Sequence, residues 1–147
     1  MLVRDILRNK GTEVYSVTAD DTVFNAIKKM DELDIGALVV MDDDQLMGIL
    51  SERDYRSKVI LKGRTSKTTT VRTIMSGDVI CTTPTDSVES CMSLMTRHKI
   101  RHLPVLDNDQ LKGVVSIGDL VKAIISKKEG EITNLRQYIH GASDFPA

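Results

Sequence analysis

The chain has 147 residues, of which 41% are hydrophobic and 3% aromatic, with no Trp. That is enough aliphatic material for a packed core and too much for a disordered tail. Twenty Lys and Arg against 21 Asp and Glu give a net charge of −1, which argues against a dedicated nucleic-acid or anionic-membrane binder. Cys81 and Cys91 stand outside any CxxC spacing, the usage of a reduced, intracellular protein. No apolar run approaches the roughly 20 residues of a membrane span, and the first residues lack an apolar signal core, so the expectation is a soluble, cytoplasmic protein.

The predicted elements fall into two copies of one pattern. Val3-Arg4-Asp5-Ile6-Leu7 is a lead-in, followed by a short segment at 14–17. Asp20-Asp21 offers an N-cap to a helix with Val23, Ala26, Ile27, Met30 and Leu33 at helical spacing. The continuous apolar run 37–41 is a buried strand. Asp42-Asp43-Asp44-Gln45 is turn chemistry, and 46–50 is the partner strand of a hairpin. Ser51 then opens a helix carrying Tyr55, Val59 and Ile60. Residues 58–72 hold Lys58, Lys62, Arg64, Lys67 and Arg72 among Thr and Ser, a solvated linker by pattern.

Residues 79–125 repeat 14–60 without a gap, at a constant offset of about 65 residues and with roughly a third of the positions identical. Val14/Val79, Asp21/Asp86, Met30/Met95, Leu38/Leu103, Gly48/Gly113, Ser51/Ser116 and Asp54/Asp119 are among the matches. Val71-Arg72-Thr73-Ile74-Met75 echoes the lead-in, so each repeat has its own. The second copy predicts a helix with Val88, Cys91, Met92 and Met95, strands over 102–106 and 111–115 joined by Asp107-Asn108-Asp109-Gln110, and a helix over 120–125. Beyond it, Ile132, Leu135 and Ile139 share a face of a short amphipathic helix over 131–139, fit to dock on this chain or on a twin. Residues 141–147 have the composition of a frayed end. The expected organisation is 1–62 first repeat with lead-in, 63–70 linker, 71–126 second repeat, and 127–147 C-terminal helix and tail.

A unit of roughly 50 to 60 residues is marginal alone. Two of them packed about a pseudo-twofold axis give a two-lobed α+β domain with two related clefts. The residues repeated for no obvious packing reason are Gly48-Ile49-Leu50-Ser51-Glu52-Arg53-Asp54 and Gly113-Val114-Val115-Ser116-Ile117-Gly118-Asp119. Both leave a strand and open a helix, whose free N–H groups suit a phosphate. The hydroxyls of Ser51 and Ser116 add donors, and Asp54 and Asp119 can accept from the vicinal hydroxyls of a ribose. The plainer alternative is a capping box at each helix start; its recurrence at equal register, with Gly before it each time, leaves both readings open.

These two motifs, the strand Ile100-Arg101-His102-Leu103-Pro104-Val105, the Ser51-Glu52-Arg53-Asp54-Tyr55 helix start and the two lead-ins together resemble a tandem pair of cystathionine-β-synthase (CBS) domains, a Bateman module, over nearly the whole chain. The resemblance implies two β-α-β-β-α repeats in a pseudo-twofold disc, often dimeric, of the free-standing kind. It implies a regulatory ligand, AMP first, with ADP or ATP next and S-adenosylmethionine or NAD as alternatives, and an unidentified protein under its control. Each site would join the motif of one repeat to the central strand of the other. One cleft would use Asp54 for ribose, Ser51 near phosphate, Arg101 and His102 for phosphate, and Val79 beside the base. The other would use Asp119 and Ser116, with Val14 and Tyr15 near the base. There Gly36 and Ala37 stand in place of Arg101 and His102, with Arg53 as the compensating charge, so the affinities should be unequal.

No activated nucleophile, phosphate-binding loop or dinucleotide fingerprint supports an enzyme. His98, His102 and His140 lack metal-ligand spacing, and 42–44 lack the calcium-loop pattern. Seven Met residues read as flexible core filler. A nucleic-acid role through the basic linker is the remaining alternative.

Overall fold

The computed structural model describes residues 1–143. The end of the segment expected to fray, 144–147, lies outside the described residues, as do the side chains of 140–143. The elements are α1 (Val3–Lys10), β1 (Ser16–Val17), α2 (Val23–Leu33), β2 (Ala37–Asp42), β3 (Gln45–Ser51), α3 (Glu52–Tyr55), α4 (Val71–Ile74), α5 (Val88–His98), β4 (His102–Asp107), β5 (Gln110–Ser116) and α6 (Ile117–Ser143). The two predicted units are present, each an antiparallel hairpin with helices on it.

The two hairpins share one register. Val39 faces Ile49 and Val40 faces Gly48 in the first; Pro104 faces Val114 and Val105 faces Gly113 in the second. Two-residue loops close them, with Asp43, Asn108 and Asp109 at positive φ, the conformation such loops demand and Asn and Asp tolerate. β1 adds to β2 in parallel, Ser16 against Val39 and Val17 against Val40. Its counterpart shrinks to one bridge, Thr82 with Val105. Pro104 stands where Val39 has an amide, so the second rung has no N–H donor.

Three local expectations need correction. Thr22, not Asp20 or Asp21, caps α2 by accepting from the Asn25 amide at 3.1 Å; Asp21 instead ties back its own loop, accepting from the Thr18 amide at 3.0 Å. The helix opened by Ser51 widens after one turn into π geometry over Arg56–Ile60. The separate helices expected at 120–125 and 131–139 are one, because the residues between them are good helix formers apart from Gly130, which costs about 1 kcal/mol, and the Lys128–Glu131 ion pair at 3.6 Å spans the join.

The lead-ins pack in exchange. Val3, Ile6 and Leu7 of α1 belong to the core of the second half, with Val88, Cys91, Leu103, Val115 and Leu120. Val71 and Ile74 of α4 belong to the core of the first, with Val23, Leu38, Leu50 and Val59. The backbone holds them the same way: Val3 and Arg4 donate to the Asp86 and Pro84 carbonyls, Val71 and Arg72 to those of Asp21 and Ala19. Sequence order and spatial partner therefore part company at both lead-ins.

This exchange explains the two motif glycines. A Cβ on Gly48 would lie 2.8 Å from the Ser76 carbonyl oxygen and 2.9 Å from Met75 Sδ; one on Gly113 would lie 2.7 Å from Leu7 Cδ2. Both glycines make room for the crossing lead-in. The Gly48 clash is with backbone, the Gly113 clash with the end of a side chain that can turn. Gly48→Ala should cost about 1–3 kcal/mol and Gly113→Ala clearly less. Urea unfolding of the two variants checks the order; equal losses would contradict it.

Candidate functional site

Ser51 closes β3 and is the N-cap of α3. Its hydroxyl accepts from the Asp54 amide at 3.3 Å, and Asp54 Oδ2 accepts from the Ser51 amide at 2.9 Å and from its hydroxyl at 3.1 Å. The capping box is thus real. It uses one carboxylate oxygen and leaves Oδ1, which meets the Lys58 ammonium at 3.0 Å. Lys58 also donates to the Ile74 carbonyl at 2.9 Å, tying the π turn to the lead-in α4.

This corner is one wall of a cleft of about 1360 Å³ between the halves. Ser51, Arg53 and Asp54 line it from the first repeat, Val79, Arg101 and His102 from the second. Arg53 thus joins the first cleft, not the second where the sequence reading put it, because its guanidinium reaches across to donate to the Lys99 carbonyl at 3.0 Å. Cations outnumber carboxylates on the lining: Arg53, Arg56, Lys58, Lys99 and Arg101 against Glu52, Asp54 and Asp78. His102 packs against the first repeat, where a Cβ on Gly36 would lie 3.4 Å from its ring. Burial first, then the charges of Lys10 and Arg101, push its imidazole below the ordinary value; Asp119 opposes them.

The second motif repeats the capping box: Asp119 Oδ2 accepts from the Ser116 amide at 2.8 Å, and the Ser116 hydroxyl from the Asp119 amide at 3.1 Å. Here the counter-charge is Lys10, at the end of the exchanged α1. Its ammonium lies 2.7 Å from Asp119 Oδ2 and donates to the Val114 carbonyl at 2.7 Å. Burial would raise the Asp119 carboxyl, but the hydrogen bonds and charge of Lys10 and Ser116 hold it below the ordinary range. Val14, Tyr15 and Ala37 are half-buried on the first half, with Tyr15 against its core. The Tyr15 phenol is raised by a hydrogen bond with Glu13 and by its charge.

Lys58 and Lys10 are the site residues that sequence reasoning missed. The i, i+4 spacing of Asp54 and Lys58 was a usable signal; nothing local points Lys10 at Asp119. The linker is also less free than its composition implies. Arg72 pairs with Asp20 at 3.3 Å, Arg64 donates to the Lys58 carbonyl at 2.8 Å, and Lys67 lies 5.2 Å from the Phe24 ring centre.

Two pseudo-symmetric hairpin units with a helix-start Ser-x-x-Asp each and a cleft between them define a tandem ligand-binding module of the CBS type. The CBS domain sequence model matches residues 3–60 and 71–126, and the chain belongs to the CBS domain family. It is 40% identical over 148 residues to the CBS domain-containing protein CBSX3, mitochondrial, of Arabidopsis thaliana, covering 95% of this chain and 72% of that one. It is 33% identical to the CBS domain-containing protein YhcV of Bacillus subtilis, covering 88% of this chain and 94% of that one. A solved protein with CBS domains from Burkholderia ambifaria MC40-6 superposes with a TM-score of 0.84 at 49% identity, covering 86% of this chain and 95% of that one. Proteins of this family are in general regulatory ligand-binding modules. Among the described residues no helix is long and apolar enough to cross a membrane.

The depressed imidazole of His102 has a consequence for pH. Its folded value lies below the 6.5 of a free histidine, so on acidification the unfolded chain takes up this proton first. That contribution to stability is complete above 6.5 and is lost as the pH falls through 6.5 toward the folded value. His102→Gln should therefore flatten the melting temperature against pH between about pH 7.5 and 5.5. An unchanged slope in the variant would show that His102 is not held neutral.

Proposed function

We propose that the chain is a regulatory sensor of an adenine nucleotide, AMP first and ADP or ATP next, bound in the Asp54 cleft. The observation that carries this reading is the meeting of Ser51 and Asp54 from one repeat with Arg101 and His102 from the other across a single cleft. Ribose hydroxyls would take Asp54 Oδ1 from Lys58, the freed ammonium and Arg101 would take phosphate, and Val79 would flank the base. The cationic surplus of the lining favours an anionic ligand over S-adenosylmethionine, whose sulfonium is positive. NAD has the charge and the room.

A ligand joining the two walls competes with the Arg53 contact to Lys99 and so changes how the halves are held. It can shift the module between states only if it binds them unequally. The altered surface would then act on a partner protein, with the module itself a homodimer and without catalysis of its own. The alternative of nucleic-acid binding through the linker is disfavoured by Arg72 and Arg64, whose charges are turned to Asp20 and to the Lys58 carbonyl.

Thermal melting with AMP, ADP, ATP, NAD and S-adenosylmethionine tests the reading. A ligand at about 100 times its Kd stabilises by about 2.7 kcal/mol, a rise in Tm of about 5–10 °C for a chain of this size. Asp54→Ala should abolish the shift at a cost of about 1 kcal/mol in stability, the worth of a cap. Calorimetry should count one nucleotide per chain, and Lys10→Ala should add a second, weaker site at Asp119. No shift with any of the five, or intact binding in Asp54→Ala, would defeat the proposal; turnover of the nucleotide would make it an enzyme.

A further inference from the structure

The outer part of α6 leaves an apolar stripe uncovered. Val121, Ile125, Ile132, Leu135 and Ile139 are 42, 51, 48, 62 and 62% exposed. Their spacing is 4, 7, 3 and 4 residues, with Lys128 dividing the 7 into 3 and 4. That is the alternation of a heptad seam, with Ile125, Ile132 and Ile139 at a and Val121, Lys128 and Leu135 at d. Isoleucine at every a position, with Leu135 at one d position, favours two strands. The stripe is narrow, about 27 Å long at the helical rise of 1.5 Å per residue, and bordered by Lys122, Glu129, Glu131 and Arg136, both signs together. A surface-lying membrane helix would instead carry a broad basic face.

We propose that residues 121–139 of α6 form a parallel, in-register two-stranded coiled coil with the same helix of a second copy of this chain. The flanking charges choose both the occupant and the direction. With parallel strands, Glu131 at g faces the partner's Arg136 at e, and the twofold makes the pair twice. Run antiparallel about the middle of the stripe, Glu131 would meet Glu131 and Lys122 would meet Arg136. Lys128 in the seam weakens the association, as a lone charged residue there does, and in return fixes the register; its own Glu131 is 3.6 Å away. About two and a half heptads are short for a free coiled coil. This one grows from a preformed helix whose first turns are anchored by Leu120, Ala123 and Ile124 in the second core, so nucleation is already met. The inference is independent of what occupies the cleft.

Sedimentation velocity of the full chain, without nucleotide and at micromolar concentration, should show a dimer. Ile132→Glu and Leu135→Glu should each raise its dissociation constant by tenfold or more, roughly the worth of one buried apolar side chain. Since neither side chain touches a core, the melting of these variants should match that of the parent chain diluted until it is monomeric. Gln137→Glu, on the outer face, should leave the dimer intact. Glu131→Arg and Arg136→Glu should each weaken it and together restore it. Leu135→Cys, oxidised beside the parent chain as control for Cys81 and Cys91, should link two chains, because antiparallel strands would hold the thiols about 15 Å apart. A monomeric parent, a dimer indifferent to both glutamate variants, or failure of the Leu135→Cys variant to crosslink would overturn the proposal.

Discussion

The exchange of the lead-in helices is the constraint on which the molecule depends. Neither hairpin unit has enough apolar material to close its own core. Each borrows it: α1 gives the second half Val3, Ile6 and Leu7, and α4 gives the first Val71 and Ile74. Because the borrowed segment is joined covalently to the other half, burying it also fixes the halves to each other. The cleft between them is therefore a built feature, with walls held by the two cores.

The same exchange makes the two Ser-x-x-Asp corners unequal. α1 crosses the second half and ends at Lys10, which places an ammonium on Asp119. The corresponding place in the other lead-in is Asp78, a carboxylate on the lining of the first cleft. There the counter-charge for Asp54 comes from Lys58, within its own helix, and Ala123 stands at the matching point of the second repeat. Each aspartate is thus neutralised from a different direction. Each lysine is braced by one backbone carbonyl besides its aspartate, Lys58 by that of Ile74 and Lys10 by that of Val114; what sets Lys58 apart is its place on the cleft lining beside Arg101.

The hairpins, their turns and the helix-start motifs are legible in the sequence because each is dictated by neighbours: alternation and apolar runs for the strands, Asp and Asn for positive φ, Ser-x-x-Asp for the caps. What is not legible is which half a segment serves. Val3, Ile6 and Leu7 declare that a helix is amphipathic but not whose core it enters, so Gly48 and Gly113 look like parts of a ligand motif when their bare Cα atoms admit a crossing lead-in. Lys10 and Asp119 are brought together only by that crossing. Arg53 illustrates the limit in reverse. The missing charge at Gly36 and Ala37 suggested a compensating role for it in the second cleft, yet its reach to the Lys99 carbonyl turns it into the first.

The ion pair at Asp54 also bears on why the proposed ligand would be a nucleotide and not a bare nucleoside. Removing an ammonium from a carboxylate and leaving two neutral hydroxyls in its place exchanges a charge-assisted contact for weaker ones. That exchange is unfavourable unless the displaced ammonium finds a second anion within reach. A phosphate on the same ligand supplies one, with Arg101 beside it. In the proposed complex the lysine would act as a selective filter: ribose recognition and phosphate recognition would be coupled through one side chain, and a ligand carrying only half of the chemistry would leave Lys58 where it is.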